Sequence, residues 1–581
     1  MYKMLMGKKY RQAKMVSWFA PKMLFQTGIK VAISGLFGNY ADKREMEAAL
    51  ADKATDEKEL SSMAADYSQR DEMWIDFVSD TGDGFNSTFS IARSIAQQQL
   101  RVQDHNSVHL LKRGKILLLG GDQIYPAPTA DAYENKFRTP FEAAFPLEEN
   151  DHDRPHMFAI PGNHDWYDGL GNFLKVFCQQ RNIGNWKTLQ RRSYFALPLP
   201  HDHWIWAIDV QLDEDIDKPQ LEYFQRIADN HMKQGDKIIL LTAEPAWIYH
   251  ELYKTDKSYN RFNFFVENYI TGSDDRPLAK SFCLSVVLTG DLHHYSHYES
   301  LREGACCKHF IGSGGGGAFL HFTHNLPAEL TTLKGGAKLK SCFPDAKTSY
   351  TLLHGVLLFF WKNPLFAALL SVVYCLLLWF LQSAQPNYMQ TLSRVSFSGF
   401  LSVTGRAILA TPFVFLLCAL IVAGFYNFTD KKKGMRRVKW FGLIHGILQC
   451  MLPFLSFWFV ARTYYPVLME EVLKVYWWPI FALIIAVTGF IQGGIFMGLY
   501  LYVSNLVFNN HIDEASSALA CEDYKNFLKV RLNKDGLCIY PVGIKKVTKS
   551  WKQKYIRGKL IVEGELPECH LIEDPIVIKN K

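Results

Sequence analysis

Short apolar runs at residues 74–78, 116–119, 157–160 and 286–288 each stop abruptly at a small or polar residue. Runs of this length bounded by turn formers read as buried strands, each ending in a loop. Residues 194–197, 204–209, 237–242 and 309–311 share the strand character, and 219–228 carries helical spacing among them. Strands alternating with helical patterns predict an α/β fold. Beyond residue 349 the pattern changes. Apolar stretches at 365–381, 407–428, 441–461 and 479–508 are near or above the length that crosses a hydrocarbon core of about 30 Å. The tail then regains alternation at 527–532, 537–542 and 559–562, with a Lys534-Asp535-Gly536 turn between the first two, so a small β-rich module is expected. The 581 residues therefore divide into a basic arm and helix at 1–69, an α/β domain at 70–350, about four spans at 351–508 and a β-rich tail at 509–581.

The ends of the strands carry the chemistry. In order they read Ser79-Asp80-Thr81-Gly82, Gly121-Asp122-Gln123-Ile124-Tyr125, Gly162-Asn163-His164-Asp165, Thr242-Ala243-Glu244-Pro245 and Gly290-Asp291-Leu292-His293-His294. In an α/β sheet the carboxyl ends of strands converge on one rim, so these groups are expected to meet. Carboxylate, amide and imidazole side chains are the ligands of hard and borderline divalent metals. A metal site, binuclear in kind, is the expectation.

These blocks resemble those of the calcineurin-like metallophosphoesterases, and within them the purple acid phosphatases, whose pattern runs D-x-G, G-D-x-x-Y, G-N-H-D/E, a lone His after a strand, and G-H-x-H. The resemblance covers roughly residues 70–325. It implies a β-sandwich flanked by helices, two metal ions (Mn, Fe, Mg or Zn), and cleavage of phosphate mono- or diesters by metal-activated hydroxide. Carried over, Asp122 bridges the ions, Asp80, Tyr125 and His293 complete one site, and Asn163 and Asp291 belong to the other. His164 assists proton transfer to the leaving oxygen, with Asp165 orienting it. Tyr125 stands where the purple enzymes place a phenolate on ferric iron. Two departures matter. Ala243 replaces the lone His, leaving the neighbouring Glu244 as a substitute oxygen ligand, and Asp291 replaces the first His of the last block. Such a second site is oxygen-rich and suits Mn²⁺ or Mg²⁺ better than Zn²⁺. Asp83 is the alternative to Asp80, and His294 is open to a metal, substrate or supporting role.

Charge orients the apolar spans. Residues 430–439 carry Lys431, Lys432, Lys433, Arg436, Arg437 and Lys439, whereas 462–477 is mixed. Positive loops stay cytoplasmic, so with four spans the α/β domain and the carboxyl terminus share that side of a plasma or inner membrane. The eleven cysteines are scattered without a C-x-x-C pair and read as reduced thiols. A net charge of +7 comes with no nucleic-acid motif. Residues 1–41 have basic and aromatic residues and no acidic one, which suits a membrane-surface segment or an arm packed on the α/β domain. The glycine run at 312–317 suits either an anion-binding backbone or a tight connection. The expected partners are a phosphate ester, which tethering biases toward lipid or nucleotide, and membrane lipids. The competing class is a degenerate phosphoesterase that binds a phospho-ligand and signals, and Ala243 is the feature that favours it.

Overall fold

The computed structural model describes residues 10–26, 64–104, 107–148, 153–210, 215–253, 256–272, 277–302, 304, 307–429, 436–468, 476–556 and 559–580. The helix expected before residue 64 and the lysine-rich loop at 430–435 lie outside the described residues. The chain forms two compact units. One combines the described parts of Met1–Val16, Ile33–Ser349 and Cys521–Lys581; the other combines those of Ser17–Ala32 and Tyr350–Ala520.

The first unit is a sandwich of two sheets flanked by helices. In one sheet β1 (Met73–Val78), β2 (Ile116–Leu119) and β3 (His156–Ala159) run parallel in that order. In the other, β4 (Phe195–Leu199) pairs antiparallel with β5 (His203–Ala207). From β5 the parallel order continues through β6 (Lys237–Leu241) and β7 (Cys283–Thr289). After β7 the chain forms β8 (Tyr295–Ser300) and β9 (His309–Ser313), which pair antiparallel, and β9 lies parallel to β7. Alternate residues of each strand face the other sheet. Ile75, Phe77, Leu118 and Phe158 therefore pack with Ile205, Leu241, Val286 and Leu288 in one apolar layer. The outer faces are covered by helices: Phe85–Ile95 buries Phe85, Phe89 and Ile95 against the first sheet, and Lys218–His231 buries Phe224 and Ile227 against the second.

The β-rich tail is present, but its first two strands are not a body of their own. β10 (Lys525–Asn533) runs antiparallel to β1, with Ile75 opposite Val530, and β11 (Gly536–Ile544) pairs with β10. The hairpin signal was right; its destination was not. A hairpin pattern reports local pairing and carries no information about which third strand it joins. The helical unit is thus an insertion between Ser349 and Cys521 of a single sandwich.

Within the insertion, helices Pro364–Ala384, Arg436–Val467 and Trp477–Phe508 are long and apolar enough to cross a membrane. Phe397–Ala410 and Pro412–Phe428 meet the same test together but are bent by 101°. Large apolar side chains face outward, Leu409 at 74% and Phe413 at 70% exposure, as lipid-facing side chains do. In the last helix two glycines four residues apart, Gly489 and Gly493, let another helix pack closely. A Cβ on Gly489 would sit 2.8 Å from the Tyr374 ring, and one on Gly493 2.9 Å from Leu370, both on the first helix. The described cysteines are thiols rather than disulfides.

Candidate functional site

Asp80, Asp122 and Asp291 follow the ends of β1, β2 and β7, and all three take left-handed backbone, with φ of 58°, 49° and 68°. Asp tolerates this region better than most residues, yet each still costs energy, and such strain collects at functional sites. The turn re-aims each carboxylate across the rim. The Asp291 amide donates to Asp80 Oδ2 at 2.9 Å, tying the two sheets together there. The close approach depends on Gly121, at φ 116°, where a Cβ would come within 3.0 Å of the Ala243 methyl.

The Tyr125 hydroxyl is the centre of the constellation. It lies 2.8 Å from Asp80 Oδ1, 3.1 Å from Asp122 Oδ2 and 2.9 Å from His293 Nε2. The Phe319 carbonyl, 2.8 Å from His293 Nδ1, places the imidazole proton on that nitrogen, so Nε2 presents a lone pair. With both carboxylates ionised, one phenolic proton faces three acceptors. Burial, and then the neighbouring carboxylates, push the Asp80 and Asp122 carboxyls well above their usual range. Burial pushes the His293 imidazole well below its own. A cation relieves each of these conflicts. Donors about 2.1 Å from an octahedral ion sit about 3 Å from one another, which matches the spacing around Tyr125. Beside this set, Asn163 Oδ1 is buried and accepts no hydrogen bond. Among the described residues no three His, Cys, Asp or Glu side chains by themselves are grouped to hold an ion. The donors gathered here are two carboxylates and an imidazole around one phenol oxygen.

Residues 73–295 match the calcineurin-like phosphoesterase family. They form a calcineurin-like phosphoesterase domain. The family generally uses a dinuclear metal centre and acts on phosphoester bonds. Among solved structures the chain is similar to GAP50, the anchor in the inner membrane complex of Plasmodium, at 13% identity and TM-score 0.30, covering 43% of this chain and 74% of that one. It is also similar to PhoD, at 13% identity and TM-score 0.27, covering 44% of this chain and 60% of that one. No curated protein matches the chain.

The phosphoesterase domain places the remaining expected residues unequally. The His164 amide donates to Asp122 Oδ1 at 2.8 Å, its Nδ1 donates to the Pro126 carbonyl at 3.0 Å, and its ring packs 4.5 Å from that of Tyr125. Asp165 does not orient His164. Its carboxylate accepts from Tyr133 Oη at 2.5 Å, the Gly162 amide at 2.9 Å and the Gln123 amide at 3.3 Å, clamping one motif loop to the next. Burial pushes it up to about 7. Asp83 Oδ1 accepts the Val16 amide at 2.7 Å, anchoring the arm at residues 10–16, while its buried Oδ2 makes no hydrogen bond. Glu244 faces Arg261 at 3.9 Å. Asp291 Oδ2 accepts from the Tyr249 hydroxyl. His294 donates from Nδ1 to the His321 carbonyl at 3.3 Å, while its buried Nε2 makes no hydrogen bond.

The glycine run is packing rather than an anion cradle. The Gly314 and Gly316 amides donate to His294 and Ser79 carbonyls, and a Cβ on Gly316 would lie 2.2 Å from Ser79 O. Sequence reasoning missed His321, whose ring stacks on His293 at 4.0 Å and whose Nδ1 accepts the His293 amide at 3.2 Å. The only signal was its place after the glycines. It also missed Asn526 of β10, which accepts from Ser313 Oγ at 2.8 Å, because nothing local ties residue 526 to this loop.

Proposed function

We propose that the chain is a membrane-anchored, metal-dependent phosphohydrolase that cleaves phosphate mono- or diesters at the cytoplasmic face. The observation that carries this reading is the single Tyr125 proton set among three buried acceptors. Asp80, Asp122, Tyr125 and His293 would hold one ion, and Asn163 and Asp291, with Asp122 between, the other. Divalent ions held there would neutralise phosphoryl charge and make water nucleophilic at neutral pH. His164 has its proton fixed on Nδ1 by Pro126, which leaves Nε2 to exchange a proton with the leaving oxygen. Asp165 and Tyr133 hold the His164 loop against the Asp122 loop. The oxygen-rich set favours Mn²⁺ or Mg²⁺, with iron on the phenol side.

Anchoring rests on connectivity. Both ends of the helical insertion belong to one sandwich, so any crossings of a bilayer between them would be even in number. Of three or four spans, four satisfies this, with the bent pair counted as one crossing. The basic loop then shares a side with both termini, and positive loops stay cytoplasmic. A substrate at the bilayer, a lipid phosphate or membrane-associated nucleotide, fits this tether.

A second reading has its own support. Ala243 contributes no ligand and Asp291 Oδ2 is already bonded to Tyr249, which suits a domain that binds a phospho-ligand without turnover. The deciding experiment is hydrolysis of a panel of mono- and diesters by purified full-length protein and Asp122→Ala. Turnover that Asp122→Ala abolishes supports the enzyme. Saturable phosphate-ester binding by the wild type with no turnover supports the second reading.

A further inference from the structure

Residues 545–559 contain no Asp or Glu, and Lys545, Lys546, Lys549, Lys552, Lys554 and Lys559 are all exposed. Their segment forms β12 (Lys552–Ile556) and β13 (Lys559–Glu563), a two-stranded ribbon apart from both large sheets. Trp551 roots it. That side chain is 7% exposed and stands edge-on to Phe89 at 4.7 Å. At the far end Tyr555 and Ile556 are 44% and 51% exposed. A two-stranded ribbon is marginal by itself, and an exposed isoleucine displayed on one has no folding purpose.

The amino-terminal arm lies on the same surface. The Tyr10 amide donates to Tyr555 Oη at 2.7 Å, and Gln12 Nε2 donates to the Trp551 carbonyl at 3.3 Å. Exposed Arg11 and Lys14 thus join the lysines of a ribbon more than 500 residues away in the chain. Opposing charge sits on the second strand and its exit, where Glu563, opposite Lys552, and Glu565 are exposed. Lys554 pairs with Glu563 at 2.6 Å and Lys549 reaches Glu522 at 3.8 Å, while Lys545, Lys546, Lys552 and Lys559 have no acidic partner among the described residues.

We propose that this face, arm and ribbon together, binds an anionic lipid surface, with the lysines on headgroup phosphates and carboxylates and Ile556 entering the headgroup layer. Clustered basic residues bind acidic leaflets additively, and flanking apolar side chains insert at the boundary. Nucleic acid has the same charge but gives an exposed isoleucine nothing to pack on. The chain also carries helices long and apolar enough to cross a membrane. This surface is independent of the hydrolytic site.

The test is hydrogen exchange of the ribbon in full-length protein held in nanodiscs of phosphatidylcholine alone or with about 30% phosphatidylserine. The expected result is exchange at residues 552–563 at least about fivefold slower with the anionic lipid, an effect that high salt removes. Lys552→Glu/Lys559→Glu should abolish the difference, and the milder Lys552→Gln/Lys559→Gln should halve it or more, while β1 and β10 keep wild-type protection and so report an intact fold. Equal exchange in both lipids overturns the proposal. So does protection by an added oligonucleotide that phosphatidylserine fails to reproduce.

Discussion

Lys529 places its ammonium 2.8 Å from Asp76 Oδ1 on the face of the first sheet turned away from the second, and neither side chain is more than 1% exposed. One residue precedes the helical insertion and the other follows it. The Gly114 amide satisfies the second Asp76 oxygen at 2.8 Å. The strand after the insertion therefore supplies the counter-charge for the first strand of the phosphoesterase domain.

Removing one partner of such a pair leaves a buried charge, which costs about 3–5 kcal/mol. Lys529→Ala should lower the thermal midpoint of the full chain sharply. The double variant Asp76→Leu/Lys529→Met should recover much of the loss, since it leaves no buried charge. A chain ending after residue 520 should fail to give a folded phosphoesterase domain, as judged by protease resistance of residues 70–340.

His164→Ala should keep its metal and lose turnover by about 10²–10⁴-fold, the usual worth of a positioned proton donor. Metal content measured beside kcat separates this role from ligation. Protein that loses its metal with the imidazole would make His164 a ligand.

Acid should weaken the domain through a buried imidazole. Burial pushes His203 down to about 4, from 6.5 in the unfolded chain. The unfolded state then binds the extra proton between those values, so stability is present above pH 6.5 and lost as pH falls toward 4. The loss from His203 is at most roughly 3 kcal/mol. Thermal midpoints across pH 7 to 4 should fall less steeply for His203→Gln than for the wild type.

On the proposed four-span topology, probes at Gly434 and Gly564 should share one side of the membrane, the cytoplasmic one. Accessibility of introduced tags at both sites in intact and permeabilised cells checks this. Opposite sidedness would mean that one of the two helices between the probes, Arg436–Val467 or Trp477–Phe508, does not cross.

What was legible in the sequence was what depends on neighbours. The strands at 74–78 and 116–119 and the polar residues that stop them are local patterns, and the structure brings Asp80, Asp122, Tyr125 and His293 together as the strand-end rule expects. What was illegible depends on partners far along the chain. Asp83 and Asp165 read as site residues because each stands beside a motif residue; in space Asp83 meets Val16 and Asp165 meets Tyr133. The glycines at 312–317 look alike whether they admit a phosphate or a strand, and only the presence of Ser79 and Asn526 against them decides. The 527–542 hairpin is the same local signal in an isolated module as beside β1.

The central claim is that the acceptors gathered on Tyr125 are a metal site that hydrolyses phosphate esters. The most direct measurement is the hydrolysis rate of full-length protein stripped with chelator, as divalent ions are titrated back. The account predicts no turnover when stripped and saturable recovery with Mn²⁺ or Mg²⁺, at least tenfold weaker in apparent affinity for Tyr125→Phe. Turnover that survives stripping, or none with any metal, would contradict it.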